Sequence, residues 1–155
     1  MSEKNESIES IARNKRAWHD YEILDTWEAG LVLRGTEVKS LRAGQASLSD
    51  AYGVVRGGEV FLVNLHIAPY KDAGHENHEP TRTRKLLLHR REITRLIGAV
   101  ERKGLTLIPL ELYFRAGRAK VRMGLVQGKQ AHDKRDDLRK RDAEREVARA
   151  FRARR

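Results

Sequence analysis

The chain contains no cysteine, which excludes a disulfide framework, a thiolate metal site and a cysteine nucleophile. Proline is scarce, at three residues, and aromatic residues make up only 6%. No apolar run approaches the ~20 residues that a membrane-spanning helix needs. Met1–Ser10 also lacks the apolar core of a signal peptide. These absences predict a soluble, cytoplasmic chain with no membrane partner. There is no internal repeat. There is also no phosphate-cradling glycine loop, because Gly53, Gly57 and Gly58 fit a hairpin better.

What is present is positive charge. The 155 residues carry a formal net charge of +10, with a pI near 10.2. That balance points to a polyanionic partner, most often nucleic acid. The length suits one domain with one real core, plus polar extensions. Half of the net charge sits in residues 129–155, where eleven Lys or Arg face six Asp or Glu. The segment is rich in helix formers and holds no proline. Asp136–Lys140, Asp137–Arg141 and Asp142–Arg145 pair opposite charges at helical spacing. Its apolar stripe of Ala143, Val147, Ala150 and Phe151 is thin, with Leu138 roughly opposite Val147. Such a helix is marginal alone in water and gains order on an anionic partner.

The pattern divides the chain into a flexible N-terminus (1–11), a folded body (12–128) and a basic tail (129–155). In the body, Tyr21–Leu24 and Leu31–Leu33 read as strands with a bend at Ala29–Gly30. Gly35–Gly44 reads as a short helix capped by Thr36, ended by Gly44, with Val38 and Leu41 inward. Ala51–Arg56 and Glu59–Leu65 flank Gly57-Gly58, a hairpin signal. Ile67–Tyr70 stays extended, and Lys71–Arg84 is a mobile polar loop by composition. From Glu92, the positions Ile93, Leu96, Ile97 and Val100 mark a helix stopped by Gly104. Leu105–Ile108 and Leu110–Phe114 are two strands. A turn at Arg115–Arg118 leads into an alternating, half-buried strand through Leu125. The sum is mostly β: a small OB-like antiparallel barrel of about six strands with two or three flanking helices.

No catalytic constellation stands out. His75, His78, Glu76 and Glu79 share a loop, and a metal-dependent nuclease built on them lacks a third strong ligand. His66 and His89 read as surface histidines. The sequence therefore predicts no enzyme, no metal and no cofactor. RNA binding fits better. Basic residues cluster at Arg13–Arg16, at Arg82–Lys85 with Arg90–Arg91, and in the tail. Trp18, Tyr21, Trp27 and Tyr70 are candidates to stack on unpaired bases, though Tyr21 and Trp27 sit in strand-like sequence that favours burial. A general RNA chaperone or structural ribosomal protein satisfies the same composition.

The segments NKRAWHDYEI, EAGLVLRGTEVKSLRAGQASLSDAY, GEVFLVNLHIAPY, PTRTRKLLLHRREI, GLTLIPLELYF and GKQAHDKRDDLRKRDAERE resemble the SsrA-binding protein family, also called small protein B. The resemblance runs from Asn14 to Glu146. It implies an OB-like barrel, no enzymatic activity, and a monomer that binds the tRNA-like domain of transfer-messenger RNA. It further implies delivery by the elongation factor that carries aminoacyl-tRNA, and trans-translation on stalled ribosomes. The resemblance also implies a tail that is disordered when free and becomes helical in the decoding centre and empty mRNA channel, against small-subunit rRNA.

By the same resemblance, RNA-binding residues map to Asn14, Lys15, Glu28, Glu37, Lys39, Lys85, Leu87, His89 and Lys120. Ribosome-facing residues map to Gly128, Lys129, His132, Asp133, Lys134, Arg135 and Phe151, the last beside Ala150. Where the family usually has KGKK, this chain has Gln127-Gly128-Lys129-Gln130, so Lys129 is kept and two of the lysines are replaced. Gln127 and Gln130 thus remove two cations from the junction between barrel and tail.

Overall fold

The computed structural model describes residues 7–103 and 105–128. The elements run β1 (Ile8–Arg13), α1 (Lys15–Asp20), β2 (Tyr21–Leu31), α2 (Gly35–Arg42), β3 (Ala46–Ser47), β4 (Tyr52–Arg56), β5 (Glu59–Val63), β6 (His66–Ile67), β7 (Arg84–Leu87), α3 (Arg90–Lys103), β8 (Thr106–Arg115) and β9 (Arg118–Gly128). The main sheet is ordered β1-β8-β4-β5-β7-β2-β9, and β8 also pairs with β9, so the sheet closes into an antiparallel ring. Strands β3 and β6 form a separate two-stranded pair. The expected OB-like barrel is therefore the observed architecture.

The turns follow local chemistry. Gly57 and Gly58 both have positive φ, at 60° and 77°, the conformation a tight two-residue hairpin between β4 and β5 requires. Ala116 and Gly117 do the same between β8 and β9. Helix α3 buries Ile93 and Leu96 on the apolar stripe that its spacing predicts.

The barrel interior holds one cluster that includes Trp27, Ala29, Leu62, Leu86, Leu107, Leu112, Val121 and Met123. A second, smaller cluster of Ala17, Ile108, Leu110 and Val126, with Tyr21 and Ile23 of β2 packed on it, lies where α1 meets β2 and β8 and is joined by β9. Strands β8 and β9 are thus buried on both faces, and the alternation expected along β9 gives way to continuous burial from Met123 to Val126.

Several boundaries differ from the sequence reading. β1 begins at Ile8, inside the stretch expected to be loose, and pairs with Glu111–Arg115 of β8. β2 is one strand, not two. Its irregularity lies between Ile23 and Asp25, so the chain passes Ala29–Gly30 without a bend. β8 likewise runs through Pro109, with a register shift between Pro109 and Glu111 that absorbs the missing N–H. Thr36 does not cap α2. The Arg34 N–H donates to Glu37 Oε1 at 2.7 Å instead, and the Thr36 hydroxyl lies 2.8 Å from His78 Nδ1.

The loop between β6 and β7 is pinned at several points. The Tyr70 N–H donates to Asn77 Oδ1 and Asn77 Nδ2 donates back to the Tyr70 carbonyl. His78 is buried, and its Nε2 donates to the Ile67 carbonyl at 2.8 Å. Because a carbonyl only accepts, Nε2 carries a proton, and the Thr36 hydroxyl takes up Nδ1. His78 is therefore a structural clamp, and the His75, His78, Glu79 nuclease arrangement loses its central member. Among the described residues no group of three or more His, Asp or Glu is placed to hold a metal, and no helix is long and apolar enough to cross a membrane.

Candidate nucleic-acid interface

Directly opposed residues of antiparallel strands share a face. Leu87 of β7 opposes Gly30 of β2, Gly30 opposes Lys120 of β9, and Lys120 opposes Tyr113 of β8. This row crosses four strands on the outer side of the barrel, because Ala29, Leu86 and Val121 beside it point inward and are buried. Gly30 leaves a notch in the row: a methyl there would lie 3.4 Å from Leu87 Cβ and 3.8 Å from Lys120 Nζ. Leu87 is 52% exposed, an apolar side chain standing on a polar surface. Lys85, two residues earlier on β7, extends the same face, with its Nζ 3.6 Å from Glu59. The adjacent row places Glu28, Arg122, Glu111 and Arg13 side by side.

Glu28 holds this surface in shape. Its Oε2 accepts from the Tyr113 hydroxyl at 2.6 Å and from Arg115 Nε at 2.8 Å. Burial works to raise the Glu28 pKa, but the bonds from Tyr113 and Arg115 and the charges of Arg115 and Lys120 win and lower it. Tyr113 moves the other way: burial first, then its bond to Glu28, push it up to about 12. At neutral pH the site therefore holds a fixed carboxylate, a neutral phenol and cations at Arg115, Lys120 and Arg122. Lysine and arginine so placed can pair with phosphates, while Leu87 and the Gly30 notch offer a contact for a sugar or base edge.

Among the residues expected to bind RNA, Glu28, Lys85, Leu87 and Lys120 come together here. His89 follows β7, where its N–H donates to Glu92 Oε1 and starts α3, leaving the ring exposed. Lys15 opens α1, and Lys39 sits on α2 with its Nζ 5.5 Å from the Tyr70 ring centroid. Neither belongs to this row. Tyr113 and Arg115 were not anticipated, since nothing in the sequence shows that they meet Glu28 across three strands. The alternation of Lys120 and Arg122 in β9 is the one local signal for this face.

Two expected contacts are corrected. Glu37 is fully buried and cannot touch RNA from the surface. Its carboxylate accepts from Arg82 Nη2 at 2.6 Å, Arg84 Nε at 2.8 Å and the Arg34 N–H. Burial raises its pKa, yet the donors from Arg82, Arg34 and Arg84 together bring it down to about 2. Arg84 itself is fully buried and also donates to the Leu65 and Pro80 carbonyls. Two of the three cations in the apparent basic cluster at Arg82–Lys85, Arg82 and Arg84, are thus tied to Glu37. Asn14 is also buried: its Nδ2 donates to the Pro109 carbonyl and its Oδ1 accepts from the Ala17 N–H, so it fixes α1 and the placement of Lys15.

Among the aromatics, Trp27 is buried at 7% exposure and Trp18 stands out at 58%. Gly128, paired with Tyr21, is buried at the end of β9. Lys129, His132, Asp133, Lys134, Arg135, Ala150 and Phe151 lie outside the described residues.

Comparison with known proteins places this surface in a family. The family described as "SmpB protein" matches residues 11–153. The SsrA-binding protein of Anoxybacillus flavithermus is 57% identical over 144 residues, spanning 93% of this chain and 94% of that protein. That of Mycobacterium sp. (strain KMS) is 59% identical over 146 residues, spanning 94% and 87%. That of Nostoc punctiforme is 54% identical over 154 residues and spans 99% of both. A solved structure described as "tmRNA-SmpB: a journey to the center of the bacterial ribosome" superposes with a TM-score of 0.69 at 48% identity, covering 91% of this chain and 96% of that one. With family and fold in agreement over nearly the whole length, the chain belongs to the SmpB family, whose members are SsrA-binding proteins.

Proposed function

We propose that this chain is an RNA-binding adaptor that binds transfer-messenger RNA and brings it to stalled ribosomes for trans-translation. The relatives bear the name SsrA-binding protein, and the matching solved structure concerns tmRNA with SmpB in the bacterial ribosome. The single observation that carries the reading is the cross-strand row of Leu87, Gly30, Lys120 and Tyr113, flanked by Glu28, Arg115, Arg122 and Lys85. Lys85, Leu87, His89 and Lys120 meet the tRNA-like domain, with Lys15 and Lys39 adding contacts beside it. Glu28, Asn14 and Glu37 act by holding these groups in place.

The barrel at 12–128 is the RNA reader and 129–155 is the ribosome-facing arm. Gly128, Lys129, His132, Asp133, Lys134, Arg135 and Phe151 engage the decoding centre and the empty mRNA channel. Eleven basic residues with little apolar surface suit a partner made of phosphates. The adaptor works as a monomer with the elongation factor carrying aminoacyl-tRNA, in the cytoplasm, without catalytic chemistry of its own.

The test is peptide tagging in a reconstituted translation system on a message without a stop codon. The full chain restores tagging. A chain ending at Gly128 binds transfer-messenger RNA but does not restore it. Tagging that proceeds equally with the shortened chain overturns the role given to the arm. No tagging with either version, under conditions where a relative works, overturns the adaptor itself.

A further inference from the structure

We propose that α1 and the pocket beside it form a subsite for one unpaired RNA nucleotide, with its phosphate in the pocket and its base on the Trp18 indole. The proposal rests on the RNA-binding reading above and adds a position to it. Trp18 is a large exposed aromatic that the core does not use: it is 58% exposed, against 39% for Tyr52 and 7% for Trp27, the other tryptophan. Lys15 and Trp18 are three residues apart on one helix and so share a side of it. Next to them a pocket of about 210 Å³ is lined by Arg13, Lys15, Arg16, Ser47 and Ser49 among others, and by no carboxylate-bearing residue.

The groups in that pocket are suited to an anion. Arg13 meets Glu111 only at 3.7 Å and Arg16 meets Asp20 at 3.5 Å, and both guanidiniums are about two-thirds exposed, so each keeps N–H donors for a phosphate. The Ser47 and Ser49 hydroxyls are hydrogen-bonded to each other at 3.1 Å on the exposed rim, which leaves one hydroxyl proton to donate to a phosphate. Asn14 locks the geometry through its bonds to Pro109 and Ala17. A stacked duplex offers no base face to an indole on a helix surface, so the base must be unpaired, as in a loop. Stacking is tolerant of base identity, so the subsite contributes affinity more than sequence choice.

The experiment is a titration of the full chain with transfer-messenger RNA and with an ordinary tRNA, at several salt concentrations. It uses wild type, Trp18→Ala, Trp18→Phe and Arg13→Gln. Trp18→Ala weakens binding about tenfold with an unchanged salt slope, because it removes stacking and no charge. Trp18→Phe keeps most of the affinity, which separates a ring contact from a structural defect. Arg13→Gln lowers the salt slope by about one. Tryptophan emission of the wild type is quenched on binding and becomes shielded from acrylamide, and Trp18→Phe loses that change. If Trp18→Ala binds within about twofold of a wild type that still prefers transfer-messenger RNA, the subsite is wrong and the adaptor function stands. If wild type shows no such preference, the functional reading falls and the subsite falls with it.

Discussion

Replacing Glu37 by glutamine removes one negative charge from a site with no solvent to compensate. Glu37 and Arg84 are both fully buried, and Arg82 closes the site from the surface at 23% side-chain exposure. The amide can keep one acceptor oxygen toward Arg34 and Arg82, but it turns an NH₂ group toward the guanidinium of Arg84. A buried cation left without its partner costs about 3–5 kcal/mol. An independent route gives a similar figure. The Glu37 carboxyl is held at about 2 against an ordinary 4.5, a displacement corresponding to ~3 kcal/mol.

The sign is set by the depressed value. The unfolded chain binds this proton first, so the contribution is full above pH 4.5 and fades as pH falls toward 2. Urea unfolding at neutral pH should show Glu37→Gln less stable by about 3–5 kcal/mol. Stability measured against pH should show a shallower acid limb in the variant than in wild type. A loss below ~1 kcal/mol, or two superimposable acid limbs, refutes the reasoning, since it means the arginines find other partners at little cost.

Three further outcomes follow from the same geometry. A methyl at Gly53 would lie 2.9 Å from Leu107 Cβ, a rigid stem at the seam between β4 and β8, whereas one at Gly124 meets the movable end of Leu110, also at 2.9 Å. Gly53→Ala should therefore lower stability by about 2–3 kcal/mol and Gly124→Ala by about 1 kcal/mol, read as urea midpoints; the reverse order contradicts the packing. Lys120→Gln should weaken transfer-messenger RNA binding and reduce the salt slope by about one, while Leu87→Ala weakens it with the slope intact. In a spectrophotometric titration one of the four tyrosines should ionise near pH 12, and Glu28→Gln should bring that step down, because the bond to the carboxylate no longer holds the phenol neutral.

The barrel was readable where local chemistry decides conformation. Gly57-Gly58, the Arg115–Arg118 turn, the 3.6-residue stripe of Ile93, Leu96, Ile97 and Val100, and Gly44 after α2 each specify their own backbone. It was not readable where a distant strand decides. Ile8–Arg13 has no clear alternation of its own and becomes a strand because Glu111–Arg115 offers an open edge. Gly30 and Pro109 look like breaks, yet neighbouring strands carry β2 and β8 through them.

The site shows the same division. The alternation of Lys120 and Arg122 predicts an outward cationic face, and the motif resemblance points to Glu28 and Leu87. Their meeting around Gly30 depends on a register that composition does not encode. Sequence also cannot separate an arginine at the surface from one in the core. Arg84 and Lys85 are adjacent, and only the inward carboxylate of Glu37 explains why the first is buried and the second is not.

The measurement that tests the central claim most directly is a binding titration against transfer-messenger RNA and an ordinary tRNA, over a range of salt, with the full chain and with a chain ending at Gly128. If the barrel is the reader, both versions bind transfer-messenger RNA with similar affinity and clear preference, and the shortened chain has the smaller slope on ordinary tRNA. If shortening abolishes binding, or tRNA competes equally well with the full chain, recognition resides in the basic arm and the cross-strand surface is not the interface.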